Sequence, residues 1–492
     1  MDRNTQLDRL GDSGEVWDVI VIGGGATGLA TALDAASRGY RTVLLEQADF
    51  AEGTSSKSTK LIHGGVRYLR NGEIGLVRES LRERGRLLKN ASGLVEPLPF
   101  VVPAYRWYER MFYGTGLTIY DGLAGDLGIG RTRHPGAAET KRRVPNLRRK
   151  GLHGGTLYWD AQFDDAALAL AMARTAVAQG AVVLNHVRVT GLIKEQGRVA
   201  GVEAKTRFKG RELVLRSRVV VNATGVFTDE IRRLDEPEAE ESVRPSQGIH
   251  LVLDKRFLGG GTAVMIPKTE DGRVLFLIPW KDRLLLGTTD TEGVENSLHP
   301  RPLAEEIDYL IRHAALYLDE KPSHDDIRAV FAGLRPLAKP PRRKPGAAST
   351  ASLSRSHVLY SSESGLVTMT GGKWTTCRQM GEEAVDRAAQ VGGLPARPSL
   401  TADLTLLVPE EGEESEALDP NLPYQMHQID RAVREEMAMT LDDVLSRRTR
   451  SSFLDEAATR RCSPKVAARM AALLGRDERW IREELAAFAI DC

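Results

Sequence analysis

Cysteine is scarce in this sequence. The chain of 492 residues contains three, Cys377, Cys462 and Cys492. They are too few for a disulfide framework and too scattered for a zinc site. We therefore expect a cytoplasmic protein whose functional site holds no metal.

Net charge and long apolar runs are also missing. The 68 Lys and Arg residues balance the 67 Asp and Glu residues to leave a formal charge of +1, so no overall field favours nucleic acid as a partner. Residues 1–17 lack the apolar stretch of a signal peptide, and no run is long enough to span a bilayer. If the protein meets a membrane, we expect it to lie on the surface.

The strongest signal is the stretch Asp18 to Glu46, DVIVIGGGATGLATALDAASRGYRTVLLE. An apolar strand runs into three glycines at G-x-G-x-x-G spacing, followed by a helix, a second apolar strand and an acid. Gly23 permits a tight turn, Gly25 admits a pyrophosphate, and Gly28 lets the helix pack close to the strand. Glu46 can accept hydrogen bonds from ribose hydroxyls. The pattern predicts a Rossmann-like dinucleotide site.

Two observations select the dinucleotide. The motif opens the chain after a short polar leader, and a second apolar strand with a small-residue turn, Val219 to Gly225, recurs much later. Flavoproteins use such a segment to return to the dinucleotide. We predict FAD, with NAD as the alternative.

The remaining chain supplies a wrapping segment and a second sheet. Ala51 to Leu69 is dense in Ser, Thr and Gly, which suits contact with a cofactor. Residues 243–290 hold successive short apolar segments, which predict an antiparallel sheet, and a helix over 304–318 covers it. We expect this sheet to form a discontinuous substrate domain.

The tail is predicted to be a small helical domain behind a linker. Glutamates between Pro395 and Pro423 indicate the linker. Apolar residues from Ile429 to Leu445 recur at helical spacing, and further helices are predicted over 464–474 and 479–488. The predicted domains are an FAD-binding domain (1–90, 150–240 and 350–394), an antiparallel-sheet substrate domain (91–149 and 241–349), an acidic linker (395–424) and a C-terminal helical domain (425–492).

A helix predicted over Arg110 to Leu127 carries Met111, Ile119 and other apolar residues, and a basic loop ending at Lys150 follows it. An apolar helix beside a basic patch can rest in a bilayer interface. The alternative is a buried core helix followed by a solvated loop.

Three cations lie in turns of the C-terminal half: Arg335 in GLRP, Arg355 in SRSH, and Lys373 after Gly371 and Gly372 in GGKWTT. Arginine grips oxygens in a bidentate fork, so this set suits a dianion such as a phosphate ester. For any one arginine alone, a surface salt bridge is the alternative.

Taken together, these motifs closely resemble the FAD-dependent glycerol-3-phosphate dehydrogenases over nearly the whole chain. The resemblance rests on GGGATG with Glu46, TSSKSTKLIHGGVRYL (Thr54 to Leu69), VNATG, FLIPW, GTTD, GLRP and GGKWTT, and on the tail segment Ala432 to Arg450. It implies an α/β fold in which a Rossmann-like FAD-binding domain carries an inserted antiparallel-sheet, D-amino-acid-oxidase-like substrate domain and a small C-terminal helical domain.

The resemblance implies oxidation of sn-glycerol 3-phosphate to dihydroxyacetone phosphate, with electrons passed to ubiquinone or menaquinone at the cytoplasmic face of the inner membrane. On this reading Arg335 and Arg355 hold the phosphate, Lys373 lies near substrate and flavin, and Arg67 joins the catalytic group. His250 is our first choice for the base, because a neutral imidazole is poised near physiological pH. A structural histidine is the alternative there.

The motifs and the resemblance also predict the cofactor contacts. His63 is expected to contact FAD rather than to act as the base. The predicted FAD-binding residues are Gly23, Gly25, Thr27, Gly28, Glu46, Gln47, Thr54, Ser55, Ser56, Leu61, His63, Gly64, Val187, Ala223, Gly225, Asp290, Gly371, Gly372 and Thr375. One departure is Gln247, where the family often has Lys, which puts the strength of phosphate binding there in doubt.

Other readings remain open. The enzyme could use oxygen as a glycerol-3-phosphate oxidase, or oxidise a hydroxy acid or amino acid. A different class is a non-catalytic protein that uses FAD as a scaffold. We also expect that the chain can form a homodimer.

Overall fold

The computed structural model describes residues 1–10, 15–66, 69, 72–208, 210–339, 357–410 and 412–491. Two predicted site residues, Arg67 and Arg355, lie outside the described residues.

The first sheet has eight strands and a parallel centre. Its main path runs β16-β17-β9-β1-β2-β6, and β7 and β8 continue from β9. The strands are β1 (Val16–Ile22), β2 (Thr42–Leu45), β6 (Val182–Leu184), β7 (Val187–Glu195), β8 (Arg198–Thr206), β9 (Glu212–Asn222), β16 (His357–Ser361) and β17 (Val367–Gly371). β1 pairs in parallel with both β2 and β9, which brings the glycine motif and the VNATG turn to one edge.

Both faces of this sheet are covered, which explains the unbroken apolar run in β1. Val19 and Val21 pack among helices on one face. Ile20 and Ile22 pack on the other face against the β7–β8 hairpin. The helices of this part are α1 (Arg3–Asp8), α2 (Ala26–Ser37), α6 (Asp165–Ala178), α7 (Thr228–Asp235) and α9 (Cys377–Gly392).

The second sheet has nine strands in the order β14-β10-β13-β12-β11-β4-β5-β3, with β15 paired to β10. Its pairs are antiparallel except for β4 with β11. The strands are β3 (Leu61–Ile62), β4 (Val95–Ala104), β5 (Gly154–Phe163), β10 (Val243–Asp254), β11 (Ala263–Ile266), β12 (Leu275–Trp280), β13 (Arg283–Gly287), β14 (Thr291–Glu292) and β15 (Ile327–Ala338). The associated helices are α3 (Ile74–Asn90), α4 (Glu109–Ala124), α5 (Ala137–Arg143) and α8 (Ala304–Ala315).

The predicted α/β architecture with an inserted sheet is confirmed, but two strands, β3 and β5, lie on the other side of predicted boundaries. β3 pairs with β5 in the second sheet, although the segment 1–90 is predicted to lie in the FAD-binding domain. β5 pairs with β4 over ten residues, so it belongs to the second sheet, although the segment 150–240 was predicted to lie in the FAD-binding domain. An apolar strand that precedes a helix has the same pattern in either sheet.

The tail is helical, with α10 (Met426–Glu435), a π-helical turn (Asp443–Arg448), α11 (Ser451–Leu454), α12 (Glu456–Leu474) and α13 (Glu478–Asp491). A single helix through Leu445 was predicted and is wrong, because Met437 has a φ of 57° and the chain turns there. The predicted helix over 464–474 instead begins at Glu456 and contains Pro464. The Ser463 hydroxyl donates to the Arg460 carbonyl, which the proline cannot pair.

The segment predicted as a linker is packed against the body of the protein. Leu406 and Leu418 are buried, and the Asn90 side chain donates to the Ala402 carbonyl at 2.9 Å. Residues 395–410 and 412–425 therefore belong to a strap, called the strap below, that leads to the C-terminal helices.

Candidate active site

A cavity of about 930 Å³ lies at the edge of the first sheet where β1, β2 and β9 end. Several separate stretches of the chain meet there, as expected for a dinucleotide. The predicted residues that line it are Gly23, Gly25, Thr27, Glu46, Gln47, Thr54, Ser55, Ala223, Gly225, Gly371, Gly372 and Lys373.

The glycine motif fits a bound pyrophosphate sterically. Gly25 is the N-cap of α2, so the N-terminus of this helix faces the cavity and favours negative charge. A Cβ on Gly28 would lie 1.9 Å from the Gly23 carbonyl oxygen, so only glycine permits this close packing of helix on strand. Gly23 itself has a φ of +110°, which non-glycine residues rarely adopt.

Glu46 closes the other side of this cavity. Its carboxylate accepts hydrogen bonds from the backbone N–H groups of Gly24 at 2.5 Å and Ala48 at 2.8 Å. Burial raises the pKa of Glu46 to about 7, and the two backbone hydrogen bonds oppose this shift. A carboxylate held in this way is placed to accept hydrogen bonds from ribose hydroxyls.

A smaller cavity of about 140 Å³ lies between residues 59–66 and other strands of the second sheet. One end is polar and includes Arg335, Thr288 and Asp290. The other end is largely apolar and includes Phe100, Met265 and other side chains. The predicted residues that line this cavity are Leu61, His63, Asp290 and Arg335.

Arg335 lies on β15 opposite Ser246 of β10 and is fixed by several acceptors. Its guanidinium donates to the Thr288 hydroxyl and the Thr289 carbonyl, both at 3.0 Å, and lies 3.5 Å from the Asp290 carboxylate. A Cβ on Gly248 would lie 2.3 Å from Nη2 of Arg335, so this glycine leaves room for the guanidinium. A cation is thus held in place at the wall of the smaller cavity.

His250 lies in β10 and lines neither cavity. Its Nε2 is 2.9 Å from the Thr59 hydroxyl, and its ring stacks on Phe331 with centroids 4.8 Å apart. Burial, together with the charges of Lys60 and Arg335, holds the pKa of His250 well below its ordinary value. The imidazole is therefore neutral and is separated from the smaller cavity by Thr59.

The GGKWTT motif connects the two cavities. Lys373 lines the larger cavity, and the Trp374 indole donates to the Ser55 carbonyl at 2.8 Å. The Thr375 hydroxyl lies 3.2 Å from both the amide nitrogen and the carbonyl oxygen of His63. The structure thus places Lys373 and Arg335 in the walls of different cavities, and their convergence with Arg355 on one ester stays a prediction.

Residues 18–378 match the FAD dependent oxidoreductase family. Residues 399–480 match the C-terminal domain of alpha-glycerophosphate oxidase. The human mitochondrial glycerol-3-phosphate dehydrogenase is 36% identical to this chain, over 97% of this chain and 72% of its own length. The chain belongs to the FAD-dependent glycerol-3-phosphate dehydrogenase family.

Two other glycerol-3-phosphate dehydrogenases support the same family assignment. The mitochondrial glycerol-3-phosphate dehydrogenase of Arabidopsis thaliana is 42% identical, over 79% of this chain and 63% of its own length. The glycerol-3-phosphate dehydrogenase from Bacillus halodurans, solved in complex with FAD, superposes with a TM-score of 0.79 at 28% identity and covers 100% of this chain and 98% of its own. FAD, rather than NAD, is the cofactor of this family and of this chain.

Several predicted cofactor residues support the cavities from behind without lining them. Gly28 packs α2 on β1, and the Val187 amide donates to the Glu46 carbonyl at 2.7 Å. The Gly64 amide donates to the Tyr120 hydroxyl at 2.7 Å. The Ser56 carbonyl accepts hydrogen bonds from two buried cations, Lys60 and Arg450.

The smaller cavity also has lining residues that were not predicted, among them Thr59, Asp160 and Thr288. Thr59 and Thr288 lie within quoted family motifs, so the motifs carried a signal for them. Asp160 lies in an apolar strand and is paired with Arg84 at 2.7 Å, a partner that the sequence alone does not indicate.

Gln247 lies on the opposite face of β10 from His250. Its amide donates to the Glu306 carboxylate at 2.8 Å and to the Arg301 carbonyl at 3.0 Å. Gln247 faces α8 and lines neither cavity. The presence of Gln instead of Lys at this position therefore removes no charge from a cavity wall.

Among the described residues, one buried group has the spacing of a metal site, Asp49, His186 and Asp443. Both carboxylates already pair with arginines, including Arg447, and His186 Nε2 lies 2.9 Å from Asp443. These contacts describe an ion-pair network. The expectation of no metal stays a prediction.

Proposed function

We propose that this protein oxidises sn-glycerol 3-phosphate to dihydroxyacetone phosphate in the smaller cavity and delivers the electrons to a membrane quinone, ubiquinone or menaquinone. The observation that carries the proposal is the position of Arg335. This fixed guanidinium lines the smaller cavity while the next residue, Pro336, lines the FAD cavity. An anionic substrate held by Arg335 would therefore lie beside the cofactor.

The phosphate end of the substrate belongs at the polar end of the cavity. The Arg335 guanidinium lies there, and the Thr288 hydroxyl that accepts one of its hydrogen bonds is 3.0 Å away from it. Charge-assisted hydrogen bonds of this kind suit a phosphate dianion. Arg355 and Lys373 are proposed as additional cations for the same ester.

The oxidation removes a hydride from C2 and a proton from the C2 hydroxyl. FAD, when bound, supplies the hydride acceptor. We assign the proton to His63, because His63 lines the smaller cavity and His250 does not. His250 then has a supporting role behind Thr59.

We propose that the electron acceptor approaches the protein at the exposed face of α4 and the turns on either side of it. Large apolar side chains are exposed here although α4 buries Tyr120 and Leu117 on its other face. Arg106 and Arg110 lie among them, so the surface combines apolar and basic groups as an interfacial surface does. The exposed apolar residues are Trp107, Tyr108, Met111, Phe112, Ile119 and Leu127.

We propose that this surface, called the α4 surface below, rests on the membrane. Among the described residues, no helix has both the length and the apolar character needed to cross a bilayer. The protein then acts as a peripheral enzyme that reduces quinone at the membrane surface, at the cytoplasmic face of an inner membrane.

Anaerobic addition of glycerol 3-phosphate to the FAD-loaded protein tests the proposed reaction. We expect the flavin absorbance to bleach with glycerol 3-phosphate and to remain unchanged with a 2-hydroxy acid. Bleaching by the 2-hydroxy acid alone rejects the proposal. Re-oxidation by a soluble quinone without stoichiometric hydrogen peroxide separates a dehydrogenase from an oxidase.

A further inference from the structure

The described part of the C-terminal helical domain supplies no side chain to either cavity, since the lining residues all lie between Ile22 and Trp374. It nevertheless contacts the loop that forms one wall of the FAD cavity. This loop, residues 47–56, includes Gln47, Thr54 and Ser55 in the cavity wall. The contacts come from three arginines, Arg447, Arg448 and Arg450.

Arg447 and Arg448 both bind Asp49, which is fully buried just behind the cavity wall. Arg447 Nε donates to Asp49 at 2.5 Å. Arg448 forms a two-pronged pair with the same carboxylate, including a 2.9 Å hydrogen bond to Oδ1. Arg447 also lies 3.4 Å from Glu52, which itself lines the FAD cavity.

Arg450 binds the other end of the loop. Its Nη2 donates to the Ser56 carbonyl at 2.7 Å and to Asp165 at 3.1 Å, and its guanidinium stacks on Phe453 at 4.2 Å. Ser56 follows Ser55, whose hydroxyl accepts from the Ala26 amide in the first turn of α2 at 2.9 Å. Arg450 is thus two residues removed from the helix N-terminus that faces the pyrophosphate.

These contacts join parts of the chain that lie far apart in sequence and exclude water from the ions. Breaking a buried pair leaves an uncompensated charge, which is strongly unfavourable. Undocking of the C-terminal arginines would therefore leave the Asp49 carboxylate of the loop buried without its arginine partners.

We propose that Arg447, Arg448 and Arg450 are positioning residues for FAD, so that cofactor binding and docking of the C-terminal domain are thermodynamically linked. If docking of the domain increases the affinity for FAD by some factor, bound FAD increases the equilibrium constant for docking by the same factor, because coupling free energies are reciprocal. The inference depends on FAD binding and not on the proposed substrate or acceptor.

Equilibrium binding of FAD to the full-length apoprotein tests the first half of this linkage. We expect Arg450→Met to raise the FAD dissociation constant about tenfold or more, and Arg450→Lys to raise it less, since one buried charge-assisted contact is lost or weakened. Arg461→Met is the control for loss of an ion-paired arginine from the same domain. Arg461 lies on α12, pairs with Asp419 of the strap at 2.9 Å and does not contact the loop.

Hydrogen exchange of the wild-type protein tests whether FAD stabilises docking of the C-terminal domain, and this measurement needs no variant. We expect FAD to slow amide exchange across residues 442–454 and to leave α13, on the outer side of the domain, unchanged. Equal FAD affinity of folded Arg450→Met and wild type overturns the proposal. So does identical exchange over 442–454 with and without FAD, which decides the matter if Arg450→Met does not fold.

Discussion

The imidazole Nε2 of His250 lies 2.9 Å from the hydroxyl oxygen of Thr59, and of these two residues only Thr59 lines the smaller cavity. His63 lines the same cavity. A substrate bound in this space would lie beside His63, whereas His250 contacts the cavity wall at Thr59. The two histidines thus have different expected roles, although the sequence favoured His250 as the base.

Replacing each histidine separates these roles. We expect His63→Gln to slow flavin reduction by glycerol 3-phosphate about 10²- to 10⁴-fold, the usual contribution of a general base. We expect His250→Gln to slow it by no more than about tenfold, because this side chain acts through a neighbour. Anaerobic stopped-flow absorbance measures both rates. A larger loss from His250→Gln than from His63→Gln would return the base role to His250.

Arg335 is expected to determine the affinity for the phosphate. We predict that Arg335→Met raises the KM for glycerol 3-phosphate about 10- to 100-fold, the loss expected for charge-assisted hydrogen bonds to a dianion. Glycerol, which has no phosphate, is the matched control substrate, and its slow turnover should change little. An equal loss with both substrates would show that the substitution damages the site in general.

The sequence predicted the FAD site better than the substrate site, for a physical reason. Gly23, Gly25 and Glu46 belong to one contiguous strand-turn-helix unit, so local spacing alone brings them together. Arg335 lies in β15 and His63 directly follows β3, which are distant in sequence and not paired in the second sheet, so their proximity depends on tertiary packing. The error at Ile429 to Leu445 has a similar origin, since apolar spacing continued through a break in the helix.

The side of the sheet that Gln247 faces can be predicted from the sequence. Alternate residues of a strand face opposite sides, so His250 and Gln247, three positions apart in β10, face opposite sides of the sheet. The contact of Gln247 with Glu306 follows from that alternation. Gln247 lies within β10 (Val243–Asp254), so the alternation applies to it.

Glu46 is expected to make FAD binding depend on pH. Burial raises the pKa of its carboxyl to about 7 in the protein without FAD. Ribose hydroxyls that donate to the ionised form lower this pKa on binding, so binding releases a proton. FAD affinity is then highest above pH 7 and falls as the pH drops through 7.

Titration of the FAD dissociation constant between pH 5.5 and 8.5, roughly one and a half units on either side of the Glu46 pKa, measures this dependence. We predict that Glu46→Gln binds FAD more weakly at pH 8 and loses most of the pH dependence. A wild-type affinity that is constant over this range, or that rises on acidification, contradicts the assignment.

Gly28 and Gly122 offer a steric comparison between two helical glycines. A Cβ at Gly28 would overlap the Gly23 carbonyl oxygen at 1.9 Å, whereas no atom of the described residues lies within 4 Å of one at Gly122. We predict that Gly28→Ala destabilises the protein by about 2 kcal/mol or more through overpacking and weakens FAD retention. Gly122→Ala should stabilise it by up to about 1 kcal/mol through helix propensity. Chemical denaturation of both variants measures the difference, and equal stabilities would contradict the packing of α2 on β1.

The α4 surface is expected to determine membrane binding. Trp107, Met111 and Phe112 are 77%, 69% and 64% exposed, and burying each in the interface contributes roughly 1 kcal/mol or more. We predict that the triple serine variant binds anionic phospholipid vesicles about 100-fold more weakly in a sedimentation assay, since the three contributions combine.

Three exposed apolar residues elsewhere, Val214, Leu400 and Leu407, provide the matched control for that experiment. Their triple serine variant removes a similar number of exposed apolar side chains but should bind vesicles as the wild type does. Flavin reduction by glycerol 3-phosphate should be unchanged in both variants, because none of the six residues lines a cavity. Equal vesicle binding by the two variants would show that a different surface meets the membrane.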